Sequence, residues 1–192
     1  RKIWITYKSV IQGELDYLKP VVMLEIGARS LSEPYAMNKV KSLVEENFPA
    51  IKTSVVDSEI ATAVAGKTFL EKAFLLHELF SVAGQGANAN RKSRHLYDLY
   101  QMMDKDFAIA AVKDDELWEN IRHHREIFTS VKDMDYTPDV RKRIVLIPRE
   151  DIISVWEKDY AEMLVNMIYG SNKPTFNQIM EKMQVLQDRF RE

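Results

Sequence analysis

The sequence contains no cysteine, so disulfides and thiolate metal sites are excluded. No sign of charge prevails: 27 Lys and Arg stand against 29 Asp and Glu, a formal net charge of −2. The chain as a whole is therefore not shaped by attraction to nucleic acid, and any anion site has to be a local patch. No apolar run approaches the roughly 20 residues of a membrane-spanning helix. The start carries no signal-peptide pattern, and a soluble cytoplasmic protein is the expectation. Internal repeats and low-complexity segments are missing too. So are an HExxH helix, a Walker lysine loop, a dinucleotide fingerprint and a GxSxG elbow, which leaves hydrolase-triad and P-loop chemistry without support. What is present is 46% hydrophobic and 29% charged residues in a chain of 192. That suits one globular domain, or one with a small extension. The chain opens at Arg1 and enters a β-rich run at once, over Lys2 to Val10, from which we expect a piece of something longer.

A second strand is expected over Val21 to Ala28, almost wholly apolar and so covered on both faces. Ser32, Glu33 and Pro34 resemble a helix start, with a short helix over Ala36 to Asn47 and a third strand over Ile51 to Val56. Thr68 to Phe80 and Arg94 to Met103 read as two helices, joined by a mobile loop rich in Gly, Ala and Asn. Beyond Asp114 the chain is mainly helical. A helix starts at Asp114, with Leu117, Ile121, His124 and Phe128 at helical spacing, and Arg143 to Pro148 is a short apolar segment with something to pair with. An amphipathic helix follows over Glu150 to Tyr169, then a last one capped by Thr175 with Ile179, Met183, Leu186 and Phe190 on one stripe. The fold class is α+β: a partial mixed sheet over residues 1–110 with its motif helices, and a mostly helical C-terminal subdomain over 111–192.

Lys72 is the most informative residue. Thr68 and Glu71 have capping-box spacing, which starts the helix at Thr68 and puts Lys72 in its first turn. The helix dipole opposes a cation there unless an anion such as a phosphate docks beside it. The alternative is a lysine that snorkels over Leu75, Leu76 and Leu79 with its head in water. Glu25 is a lone carboxylate in an apolar strand, either a ligand for divalent metal or the partner of Arg29. Asp98 lies opposite the Leu96, Leu99 and Met103 stripe, as a site residue or as a surface partner of Arg94 four residues earlier. The run Arg91, Lys92, Arg94, His95 is a basic patch for the phosphates of a nucleotide or RNA, or else a solvated loop. His77 reads as a core or site-lining histidine, and the adjacent His123 and His124 diverge too far to share a metal.

MLEIGARS, TFLEKAFLLHE, RKSRHLYDLYQMM, LIPREDIISVWEKDYAEMLVNMIYG and TFNQIMEKM, in this order, resemble the AbiEii/AbiGii toxin family of nucleotidyltransferases. The resemblance covers essentially the whole chain. It implies a polymerase-β-type nucleotidyltransferase with a helical C-terminal part, of bacterial abortive-infection and toxin–antitoxin systems. Such proteins move a nucleotide from an NTP with Mg2+ or a similar divalent ion, in some members onto tRNA, and are silenced by a cognate antitoxin. By motif, Lys72 is expected to contact the nucleotide phosphates with Arg94 nearby, Asp98 to join the catalytic cluster, and Glu25 to be a further metal-binding carboxylate. The family's Gly-Gly/Ser turn and Asp-x-Asp pair have no counterpart in this sequence, because Asp133-Met134-Asp135 comes far too late. Two functions follow: part of a toxin-type nucleotidyltransferase that is inactive alone, or a non-catalytic module that binds an antitoxin or RNA.

Overall fold

The computed structural model describes residues 1–10, 19–27, 34–50, 58–171 and 173–192. Their architecture is α+β, with small antiparallel sheets at the start and a helical body after them. Strands β1 (Lys2–Thr6) and β2 (Val21–Glu25) pair antiparallel in the register Lys2 to Glu25 and Thr6 to Val21. Strands β3 (Tyr35–Val40) and β4 (Ser58–Ala63) form a second antiparallel pair. Helix α1 (Leu43–Asn47) lies between them, capped by the Ser42 hydroxyl.

Two expectations are corrected here. The helix expected over Ala36 to Asn47 is a strand as far as Val40, because pairing with β4 satisfies this backbone. Asn38 adds side-chain hydrogen bonds to the Ala36 carbonyl and the Thr62 hydroxyl. Strand β2 is not covered on both faces. Alternation puts Ile3, Ile5, Val22 and Leu24 on one face, and each is about half exposed. The strand expected over Ile51 to Val56 lies outside the described residues.

The helical body is built on α2 (Ala65–Ser81), which is buried on almost every side: Phe69, Leu70, Ala73, Phe74, Leu76 and Phe80 have next to no exposed surface. A helix apolar all round belongs at the centre of a core. Helices α3 (Arg94–Met102), α4 (Asp106–Val112) and α5 (Asp115–Phe128) pack against it. Gly66 allows the close crossing with α4, since a Cβ there would meet the Ala111 Cβ at 3.2 Å and the Phe107 carbonyl oxygen at 3.4 Å. Helices α6 (Ile153–Asn166) and α7 (Phe176–Arg191) complete the body. Thr175 caps α7 in a full capping box with Gln178, and Ile179, Met183, Leu186 and Phe190 are buried as the stripe predicts.

The segment from Ile144 to Leu146 forms no strand. Its buried backbone is paired by side chains instead: the Val145 amide donates to His77 Nδ1 at 3.1 Å, and the Leu146 amide to Gln187 Oε1 at 2.9 Å. His77 is thus a core residue. Burial holds its imidazole well below the usual range, at about 4. Glu78, also on α2, is buried, and it accepts from Arg125 of α5 and from the Tyr136 hydroxyl, which tie the two helices together.

Candidate active site

The structure starts α2 at Ala65, with Val64 as the unassisted cap, so the Thr68–Glu71 capping box does not form. The Thr68 amide donates to the Val64 carbonyl within the helix. Lys72 therefore sits in the third turn of α2, and the dipole at the helix start cannot explain it. Another partner does. Lys72 Nζ donates to Asp98 Oδ2 at 2.7 Å and lies 3.5 Å from His95 Nδ1. Asp98 and His95 stand one turn apart on α3, so their side chains meet on one face.

This cluster is half-buried, with Lys72 23% and Asp98 38% exposed. An ion pair that open to water contributes at most about 1 kcal/mol to stability. The two structural alternatives from the sequence do not describe it: Lys72 does not merely snorkel, and Asp98 takes Lys72 rather than Arg94 as its partner. His95 is held well below its usual range, at about 4, first by burial and then by the neighbouring Lys72 and Arg94 cations. Its imidazole is neutral at pH 7. A cation at Nδ1 requires that nitrogen to present its lone pair, which puts the proton on Nε2.

Helix α3 owes its placement to Asp159, a buried carboxylate on the inner face of α6 beside Trp156, Tyr160 and Met163. Asp159 Oδ1 accepts from the Arg91 amide at 2.6 Å and Oδ2 from the Ser93 amide at 2.9 Å. This carboxylate fills the place at the start of α3 where a phosphate would otherwise find free amides. The basic run divides accordingly. Arg91 and Ser93 give their amides to the fold, Lys92 Nζ donates to the Asn88 carbonyl, and the Arg94 side chain is exposed beside the cluster. The loop before it is pinned, not loose. Trp156 Nε1 donates to the Gly86 carbonyl, and Arg149 to the carbonyls of Phe80, Val82 and Gln85.

Glu25 does not join this group through any contact of its own element. It sits at the end of β2, where Lys2 Nζ stands 3.6 Å from its carboxylate, and its side chain is 60% exposed. Arg29 lies outside the described residues. Asp135 of the late Asp-x-Asp serves the fold: hydrogen bonds from Thr137, then Arg143, hold its carboxyl at about 2. Among the described residues no three His, Asp or Glu side chains are gathered to hold a metal ion. Asp98, the one carboxylate at Lys72, is already neutralised by it. The described residues thus do not make up a donor set for the divalent metal that the resemblance implies. Sequence reasoning missed two contributors. His95 counted only as part of a basic run, and Asp159 was not singled out, although a carboxylate on the buried stripe of α6 was there to be noticed.

Comparison with known proteins supplies the family. Residues 1–182 match the model of the nucleotidyl transferase AbiEii toxin family, of type IV toxin–antitoxin systems. No curated protein and no solved structure matches the chain. The chain belongs to the AbiEii nucleotidyl transferase toxin family, and toxin–antitoxin nucleotidyl transfer is the function that membership indicates. Among the described residues no helix is long and apolar enough to cross a membrane.

Proposed function

We propose that these 192 residues are the part of a toxin-type nucleotidyltransferase that brings Lys72 to the triphosphate of an NTP, for transfer of its nucleotide to an acceptor such as tRNA. The observation that carries this reading is the Lys72–Asp98 contact, which joins two motif residues 26 positions apart on different helices. In the reaction an acceptor hydroxyl oxygen bonds to the α-phosphorus and releases its proton to water, the bond from that phosphorus to the oxygen bridging to the β-phosphate breaks, and pyrophosphate leaves. Negative charge grows on the departing phosphates, and a fixed ammonium stabilises it. Asp98 keeps the ammonium on its helix and belongs to the catalytic cluster, and Arg94 adds a second cation from the open side. Glu25 enters as a metal ligand only in company with further carboxylates, and among the described residues none are gathered with it. For that reason the chain alone transfers no nucleotide, since in-line transfer needs divalent metal to neutralise the triphosphate. A cognate antitoxin is the expected partner.

The test is Lys72→Ala in the complete protein, with labelled NTP and tRNA, beside a melting curve. Because the pair is half-open, activity should vanish while Tm stays within a few degrees. Full activity in the variant refutes the assignment, whereas NTP incorporation by the 192-residue chain would refute only its inactivity when alone.

A second reading, a non-catalytic module that binds an antitoxin or RNA, has one observation in its favour. The face of Ile3, Ile5, Val22 and Leu24 is too apolar to be left in water, and it suits a protein better than RNA. A Lys72→Ala variant that loses stability instead of activity supports this module.

A further inference from the structure

We propose that His95 is a positioning residue for Lys72: its unprotonated Nδ1 and the Asp98 carboxylate together hold the ammonium, so that its remaining N–H points away from the fold toward a phosphate. The role of the clamp in transfer rests on the nucleotidyltransferase reading, but the clamp itself does not. Three features of the chain support it. Lys72 Nζ lies 2.7 Å from Asp98 Oδ2 and 3.5 Å from His95 Nδ1. Both acceptors come from one helix, one turn apart, so a single rigid element fixes them. That element is in turn fixed by Asp159 at its start. An ammonium has three N–H donors and no acceptor, so two fixed acceptors leave one donor free. A lone carboxylate would let the flexible four-carbon stem swing about one contact; a second acceptor removes that freedom before the substrate arrives. Neutrality is what suits imidazole to this task, since a protonated His95 would repel the cation it holds. Burial and the Lys72 and Arg94 charges keep the ring neutral at physiological pH.

The clamp can be read without substrate. The 192-residue chain is treated with a limiting amine-acylating reagent, and modification of Lys72 is measured by mass spectrometry against the exposed Lys113 of the same molecules. An ammonium that loses an acceptor moves more freely and stands more open to the reagent. His95→Ala should therefore raise relative modification of Lys72 about three- to tenfold, the effect of one partly exposed charge-assisted hydrogen bond. His95→Asn, whose amide oxygen falls near the place of Nδ1, should restore the original value. Unchanged modification in His95→Ala overturns the clamp, and so does an increase that His95→Asn fails to reverse, since that marks a general loosening of α3. In the complete protein the same pair of variants is assayed for transfer: His95→Ala should raise KM for the NTP more than it lowers kcat, and His95→Asn should recover it. Full transfer activity in Lys72→Ala would sink the transferase reading and leave the acylation result standing. Normal KM in His95→Ala, with activity lost in Lys72→Ala, would sink this inference alone.

Discussion

Asp159→Ala is the sharpest perturbation of the framework behind Lys72, because one buried carboxylate sets the start of the helix that carries both acceptors. The substitution removes two charge-assisted hydrogen bonds, to the amides of Arg91 and Ser93 at 2.6 and 2.9 Å. Hydrogen bonds to charged groups contribute about 1.5–3 kcal/mol each, and a buried donor left unsatisfied costs about as much again if water cannot reach it. The Arg91 end lies near the surface and water can replace its acceptor; the Ser93 amide is buried. Against this, removal of a buried charge recovers part of its desolvation cost. The net expectation is a loss of about 3–4 kcal/mol, which for a single domain is a large share of total stability. Urea denaturation followed by circular dichroism reads it as a lower midpoint at unchanged slope. The loss should be larger than that of Lys72→Ala, which removes only a half-open ion pair. A change below about 1 kcal/mol would show that Asp159 does not hold the start of α3 and would refute the chain of support drawn here.

Gly86→Ala is expected to cost at least about 2 kcal/mol, since Gly86 has a φ of +74° and its added Cβ would stand 2.5 Å from the Leu79 carbonyl oxygen. Thermal melting checks it, and Gly84→Ala (φ +79°, nothing within 4 Å of a Cβ) isolates the backbone strain alone. Stability should also fall between about pH 6.5 and pH 4. Unfolded histidines take up protons below their ordinary pKa, while His77 and His95 in the fold stay neutral down to about 4. More protons on the unfolded chain mean stability that is present above about pH 6.5 and drains away toward pH 4, by a few kcal/mol at most. Urea titrations at pH 7, 5.5 and 4.5 read this slope, and a flat response would contradict the buried neutral imidazoles.

Local chemistry was legible in the sequence wherever a residue's own neighbours decide its structure. Thr175 announces the start of α7, Asp114 caps α5 through the Leu117 amide, and the apolar stripe of α7 is the buried one. Where a distant segment decides, the sequence misled. The Thr68–Glu71 spacing offers a capping box, but Gly66 against Ala111 and Phe107 draws α2 back to Ala65. The run Tyr35 to Val40 has no strict alternation, and only its partner β4 makes it a strand. Apolar β2 was right in composition and wrong in what covers it, because a run of valine and leucine carries no information about the next layer. Helical spacing likewise placed Asp98 on an open face without saying that Lys72 would meet it. The resemblance to the toxin family put both residues in one site together with Glu25, and Lys72 and Asp98 do meet. His95 escaped notice because basic neighbours disguised an imidazole that burial keeps neutral.

The described residues divide by how they are supported, and the division separates the proposed site residues. Lys72, His95 and Asp98 stand on α2 and α3, whose inner faces are fully packed by Phe69, Leu70, Leu96 and Leu99. Their mutual geometry needs nothing beyond the helical body. Glu25 stands on a two-stranded sheet with half-exposed aliphatic side chains, and two strands alone are marginal in water. Burying those four side chains would release roughly 1 kcal/mol each at the usual value per area, enough to order the strands against a partner layer. Glu25, one residue on from Leu24, lies on the opposite face with Met23, Trp4 and Lys2, so a layer over Ile3, Ile5, Val22 and Leu24 does not itself reach its carboxylate. A metal role for Glu25 requires other carboxylates to come to its own face of the sheet and to displace Lys2, whereas the Lys72 clamp is already assembled. The two assignments are independent, and loss of one leaves the other intact.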